Sequence, residues 1–231
     1  MIILSINVYK NPPFLMAQLN NIATFVKSPY RVILNCNDTM FAELRNLPEN
    51  VVKNPEIINK QRFHGSLFHG IYSNMVYALH YTFDAFLILS SRTVFYRELR
   101  VSDLKFKVQA PATDLTRWHW PSFTQTLAAK RATALYGSPH EGLCFSRDVV
   151  ASIHQVLSDN PQVTQDLITF PHAVEEFALQ TIAEGRFLYL GNGCANDVDY
   201  SDPHKYVRKI DDSLETPYVC QKRRIPFFLH R

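Results

Sequence analysis

The sequence predicts an α/β fold in which helices cover both faces of an open, mostly parallel sheet. Residues 86–89 form an unbroken apolar run between Asp84 and the polar residues 90–93, as expected for a strand buried on both faces. Two other apolar runs, residues 2–8 and 30–36, flank a segment whose apolar residues recur every three or four positions. This order of strand, helix and strand predicts a parallel pair with a right-handed crossover.

The same patterns predict the other elements. We expect further helices over residues 39–47, 66–80, 147–157, 161–170 and 173–183, and further strands that begin at Val51 and cover 143–145, 187–190 and 206–210. Ser66 and Ser146 are the predicted N-caps of two helices. Residues 97–134 have no sustained period, so they predict irregular structure with short helices that forms an ordered lid or the wall of a site. Residues 191–203 are predicted to be a polar loop.

Length and composition limit the kind of protein. The 231 residues fit one domain. The net charge of +3, from 24 basic and 21 acidic residues, argues against a nucleic-acid partner. No apolar run is long enough for a signal sequence or a membrane span, which predicts a cytoplasmic location. The four cysteines have no CxxC spacing, so we expect reduced, buried thiols.

Catalytic motifs of several large enzyme classes are absent from the sequence. It contains no GxGxxG, P-loop, HExxH or GxSxG motif. In open α/β sheets, ligands bind beyond the carboxyl ends of the strands, and here the predicted central strand is followed by Ser90, Ser91, Arg92 and Thr93. Because this segment has no carboxylate to hold Mg²⁺ or Mn²⁺, a phosphate leaving group would need Lys or Arg side chains. An open α/β sheet whose first two strands end in small polar residues, a carboxylate pair at the start of a predicted helix and cations near the C-terminus together suit a nucleotide-sugar transferase of the GT-A type.

Four segments resemble the core-2/I-branching N-acetylglucosaminyltransferase family, glycosyltransferase family 14, which also contains peptide O-xylosyltransferases. They are His64-Gly65-Ser66 with the helix after it, Leu89-Ser90 at the end of the central strand, Gly137-Ser138 with the strand and Ser146-Arg147-Asp148 that follow, and residues 174–182 with Glu175-Glu176. Their order matches that of the family. The chain lacks the glycine, aspartate and proline that follow Leu-Ser in the family.

The resemblance implies a single GT-A-like domain over residues 1–231, with a nucleotide-binding half (1–100) and an acceptor and catalytic-base half (101–231). It implies an inverting, metal-independent enzyme with no cofactor. The donor would be a UDP-sugar that carries N-acetylglucosamine or xylose, and the acceptor a hydroxyl of a glycan or glycoprotein.

The resemblance also implies roles for particular residues. Glu176 is the expected catalytic base, which takes the acceptor proton. The expected nucleotide-sugar contacts are Val8, Asn37, Arg62, Ser90, Lys222, Arg223 and Arg224, and the expected acceptor contacts are Glu175, Trp118, Trp120 and Asp211. No residue is expected to bind a metal.

Each assignment has a structural alternative. Glu175 and Glu176 would also favour a helix N-terminus without any catalytic role. The basic residues 222–224 would also form a solvated charged run, and the two tryptophans would also serve packing. Two other functions stay open: a metal-dependent transferase whose ligands come from Asp84 or Asp103, and a nucleotide- or sugar-binding protein without catalysis.

Overall fold

The structure is a computed structural model of the chain, and it describes residues 1–8, 12–61, 64–90, 93–116, 118–195 and 220–223. The strands of these residues are Ile2–Val8 (β1), Tyr30–Cys36 (β2), Val51–Lys53 (β3), Ala85–Ser90 (β4), Thr93–Phe95 (β5), Lys107–Val108 (β6), Leu143–Ser146 (β7), Arg186–Tyr189 (β8), Gly191–Ala195 (β9) and Cys220–Arg223 (β10). The helices are Pro12–Phe25 (α1), Asp38–Glu43 (α2), Ser66–Ala78 (α3), Trp120–Phe123 (α4), Leu127–Arg131 (α5), Arg147–Asp159 (α6), Pro161–Thr169 (α7) and Ala178–Ile182 (α8), with a 3₁₀ turn at Val101–Asp103.

The strands form two sheets. The larger has seven strands in the order β3-β2-β1-β4-β7-β8-β6, and the smaller has three in the order β5-β10-β9. Strands β3, β2, β1 and β4 run parallel, whereas β7, β8 and β6 are antiparallel to their neighbours. The predicted α/β fold with an open sheet is confirmed, and the structure adds an antiparallel half to the parallel one.

Alternating side chains of the parallel strands build two cores. In β1, Ile2, Leu4 and Ile6 lie in one buried cluster with residues of α1, whereas Ile3 lies in the other with residues of α3, α6 and α7. The side chains alternate because successive Cβ atoms of a strand point to opposite faces. Helices therefore cover both faces of the sheet, as predicted.

Several local predictions are wrong. The helix expected over residues 173–183 begins only at Ala178, so Glu175 and Glu176 lie in a turn before it. Ser66 is not an N-cap: Gly65 precedes the helix, and the Ser66 hydroxyl accepts a hydrogen bond from the backbone of Gln61. The first five residues of the predicted loop at 191–203 form β9. The predicted strand at 206–210 lies outside the described residues.

Helix α1 fastens the small sheet to the large one. Gln18 donates from Nε2 to the carbonyl oxygens of Ser90 and Thr93, at 2.6 and 2.8 Å. Asn21 donates to the carbonyl of Phe95 and accepts from its amide. These bonds fix β5 directly beyond the carboxyl end of β4.

None of the helices in the described part of the chain combines the length and apolar character that a membrane crossing requires.

Candidate functional site

The carboxyl ends of β1, β2 and β4 lie side by side at one edge of the large sheet. In the parallel register, Asn7 stands beside Asn35 on one side and beside Ser90 on the other. Strand β7 begins at this edge, because it runs antiparallel to β4 and the amide of Gly142 donates to the carbonyl of Ile88 at 2.8 Å. The residues just before β7 are thus brought to the end of the central strand.

Three side chains at the start of β7 and before α8 form an acidic cluster. His140 Nε2 lies 3.2 Å from Glu141 Oε1, and His140 Nδ1 lies 3.7 Å from Glu176 Oε1. Glu141 is buried, whereas the other two keep about 15% of their side chains exposed, 16% for His140 and 15% for Glu176. Glu176 thus lies beside an imidazole and keeps part of its side chain exposed.

The same three residues have the composition of a metal site. One ligand atom from each of His140, Glu141 and Glu176 can be chosen so that all three lie within 4.8 Å of one another. An imidazole nitrogen and two carboxylate oxygens are a ligand set that fits zinc or manganese. Sequence reasoning named no metal ligand here, because it did not bring His140 and Glu141 next to Glu176.

Glu175 lies behind this cluster. Only 3% of its surface is exposed, and Oε2 accepts a hydrogen bond from the amide of Val174 at 3.0 Å. Burial, partly offset by nearby His140, raises the pKa of its carboxyl group. The expected direct contact of Glu175 with an acceptor does not fit this position, because the side chain faces the interior.

An aromatic cluster fixes the turn that carries Glu176. The Phe177 ring packs against Trp120 and Phe123, with ring centroids 4.3 and 5.3 Å apart. A Cβ at Gly137 would lie 2.7 Å from both Phe177 and Trp120, so only glycine allows this approach. The amide of Ser138 donates to the carbonyl of Glu176 at 3.0 Å, which ties the turn to the segment that leads to His140.

The two tryptophans have different environments. Trp120 is 6% exposed and belongs to the core, as the packing alternative held. Trp118 is 48% exposed, has a positive φ of 59°, and packs edge-on against Phe177 at 5.0 Å. Of the pair, Trp118 is the ring available to an acceptor sugar.

The basic strand near the C-terminus returns to the end of the central strand. In β10, Lys222 pairs with Thr93 of β5, and Thr93 Oγ1 accepts from the amide of Ser90 at 3.0 Å. At the other end of β10, burial and the neighbouring Glu141 raise the pKa of the Cys220 thiol. The backbone of β10 therefore runs between Ser90 and the acidic cluster.

The expected uridine contacts lie at the ends of β1 and β2. The amide of Asn37 donates to the carbonyl of Val8 at 3.3 Å, and Asn37 Oδ1 accepts from the amide of Met40 as the N-cap of α2. The side chain of Val8 is fully buried, so only its backbone is available to a ligand.

Other expected site residues lie outside what the structure describes. They are Arg62, Asp211 and Arg224, together with the side chains of Lys222 and Arg223. Their expected roles stay predictions.

The two aspartates of the metal-dependent alternative lie away from this edge. Asp84 precedes β4 and pairs with the N-terminal amine of Met1. Asp103 accepts from the amide of Arg100 in the 3₁₀ turn, beside the chain that leads into β2. Both stand at the amino ends of the parallel strands, so neither is placed to bind a metal at the opposite edge.

The residues that sequence reasoning missed at this edge are His140, Glu141 and Lys60, whose ammonium group donates to the carbonyl of Asn35 near the end of β2. A His-Glu-Gly sequence directly before a buried strand was the available signal for the first two, since Gly142 adopts a φ of 98° that glycine favours. No protein-family model matches the chain, and no curated protein matches it. The resemblance to glycosyltransferase family 14 therefore rests on the residues quoted above.

Proposed function

We propose that the chain is an inverting glycosyltransferase that transfers N-acetylglucosamine or xylose from a UDP-sugar to a hydroxyl of a glycan. The observation that carries this proposal is that Glu176 lies beside His140, just before β7 at the carboxyl end of the central strand, and that the backbone of β10 pairs with β5 directly beyond that end. A base and a set of cations at one site are what the displacement of a nucleoside diphosphate requires.

The proposed reaction is a single displacement. The acceptor oxygen attacks the anomeric carbon, its proton passes to the carboxylate of Glu176, and the bond from that carbon to the UDP oxygen breaks. UDP departs with the bonding electrons, and Lys222, Arg223 and Arg224 stabilise its charge through charge-assisted hydrogen bonds. Attack from the face opposite the leaving group inverts the anomeric configuration.

Support for Glu176 as the base comes from its surroundings. Its carboxylate is partly exposed and lies 3.7 Å from His140. Glu175 is buried behind it with a raised pKa, and is the poorer base because it is shielded from a substrate. The acceptor would then lie on the side of Trp118, which packs on the residue next to Glu176.

A thermal-shift panel of nucleotides and nucleotide sugars, with and without chelator, tests the proposal. A ligand that binds only the folded state raises the melting temperature by mass action. We expect UDP-sugars to stabilise the protein more than ADP- or GDP-sugars, with or without chelator. Product analysis with the stabilising donor should then show transfer with inversion. Absence of any uridine-nucleotide shift would contradict the proposal.

A metal-dependent transferase is a second candidate, favoured by the mutual approach of His140, Glu141 and Glu176. In that case a divalent cation would bind these residues and the phosphates of the donor. Titration of the protein with Mn²⁺ in the presence of UDP, followed by water-proton relaxation, separates the two candidates. Tight Mn²⁺ binding that is lost in Glu141→Gln, with turnover abolished by chelator, would favour the metal enzyme.

A further inference from the structure

Lys60 holds its ammonium group at the carboxyl end of β2. Nζ donates to the carbonyl oxygens of Asn35 and Ile58, both at 3.0 Å. The side chain crosses Gly70 of α3, where a Cβ would lie 2.7 Å from Lys60 Cε and 2.3 Å from Asn7 Oδ1. The ammonium group is thus fixed between helix α3 and the ends of β1 and β2.

The charge of Lys60 has no carboxylate partner among the described residues. It takes part in none of the ion pairs that they form. Two of its three N–H groups donate to neutral carbonyls, which leaves one donor. Burial lowers the pKa of the ammonium group to about 8. A partly buried cation without a counter-ion is stabilised by an anion that binds beside it.

The position of Lys60 indicates which anion would bind there. It stands at the β1 and β2 end of the edge, beside the expected uridine contacts Val8 and Asn37, whereas β10 approaches the end of β4. We propose that Lys60 binds the phosphate attached directly to the nucleoside of the donor. The identity of this ligand rests on the proposed function, whereas an anion site at Lys60 does not.

Lys53 provides a matched control. Its ammonium group also donates to two backbone carbonyls, those of Phe41 and Leu44, at 2.8 and 3.1 Å. These carbonyls lie at the C-terminal end of α2, where a cation stabilises the helix. The two lysines therefore have the same kind of hydrogen bonding, and only Lys60 is placed at the proposed phosphate.

The test compares the binding of uridine, UMP and UDP to wild type, Lys60→Met and Lys53→Met by titration calorimetry. Because Lys60→Met removes a charge-assisted hydrogen bond, we expect it to weaken the binding of UMP and of UDP by a similar factor, about 10-fold or more. Uridine affinity should not change, and Lys53→Met should bind all three ligands as wild type does. The melting temperature of each variant, measured without ligand, shows whether it folds.

A second measurement uses the pH dependence of anion binding. Sulfate keeps its charge over the range tested, so its stabilising effect on the wild type should fall as pH rises through about 8. The other titratable groups near Lys60 would not produce this pH dependence. Burial raises the pKa of Cys36 to about 11 and lowers that of His69, which also pairs with Glu56 at 3.2 Å. The pH-dependent part of the stabilisation by sulfate should be absent in Lys60→Met.

The outcomes are distinct. If Lys60→Met binds UMP and UDP with the same affinity as wild type does, the inference is overturned. A parallel loss of uridine affinity would also overturn it, since Lys60 would then contact the base. A stabilising effect of sulfate on the wild type that does not change with pH would also overturn the inference. If sulfate depends on Lys60 but no uridine nucleotide binds, the anion site stands and the proposed function fails.

Discussion

The two halves of the carboxyl edge present different charged groups. At the parallel half, the Lys60 ammonium group lies among backbone oxygens. At the antiparallel half, Glu141, Glu175 and Glu176 surround a single histidine, His140. The difference follows from chain direction: parallel strands bring their ends and following loops to the edge, whereas β7 brings the residues that precede it.

This division gives each half a separate task in the proposed reaction. Lys60 in the parallel half suits phosphate binding, and Glu176 in the antiparallel half suits proton acceptance. A change in one half should therefore affect one step and leave the other intact.

The largest expected effect comes from Glu176→Gln. Loss of the general base should lower turnover by about 10²-fold or more, while UDP binds as before. Single-turnover kinetics and UDP titration measure the two effects. Glu184→Gln is the control, because Glu184 is exposed and precedes β8 at the opposite edge of the sheet. If Glu176→Gln lost UDP affinity instead, the separation of the two halves would be wrong.

A smaller effect is expected for Gln18→Leu, which loosens the link between the two sheets. Gln18 is 2% exposed and donates to the carbonyls of Ser90 and Thr93. The loss of these bonds should lower the free energy of unfolding by about 1–3 kcal/mol, measured by urea denaturation. Gln155→Leu, at an exposed position of α6, should cost little. Equal effects of the two substitutions would show that Gln18 does not fasten the sheets.

Glu175→Gln should change the pH dependence of stability. Since burial raises the folded-state pKa of Glu175, the wild type binds more protons than the unfolded chain above pH 4.5 and loses stability as pH rises through the folded pKa. Glutamine cannot ionise, and its amide oxygen can still accept from Val174. The variant should therefore gain stability relative to wild type as pH rises above about 4.5. Parallel stability profiles in urea would contradict this account.

The regular part of the fold was accessible from sequence because local patterns determine it. The bounds of β1 and β2 were predicted to the residue, since apolar runs end where polar residues begin. The turn at residues 174–177 was not predicted, because its shape depends on Phe177. This ring packs between Trp120 and Phe123, which come from a distant segment. The local sequence favours a helix over these residues, but tertiary packing overrides that preference.

The candidate site was predicted only in part for the same reason. Glu176 was accessible through a resemblance of motifs, whereas His140 and Glu141 reach it through the antiparallel pairing of β4 with β7. Lys60 lies in a loop without a motif, and only its bonds to β2 and Ile58 mark it. Contacts that join distant segments leave no periodic signal in the sequence.

Diffraction from crystals grown with UDP and Mn²⁺, recorded for anomalous scattering, tests the central claim most directly. The account predicts UDP along the carboxyl edge, with its nucleoside-linked phosphate at Lys60, its terminal phosphate at β10, and no manganese between the phosphates and Glu176. A manganese peak at His140, Glu141 and Glu176 that bridges the diphosphate would contradict it.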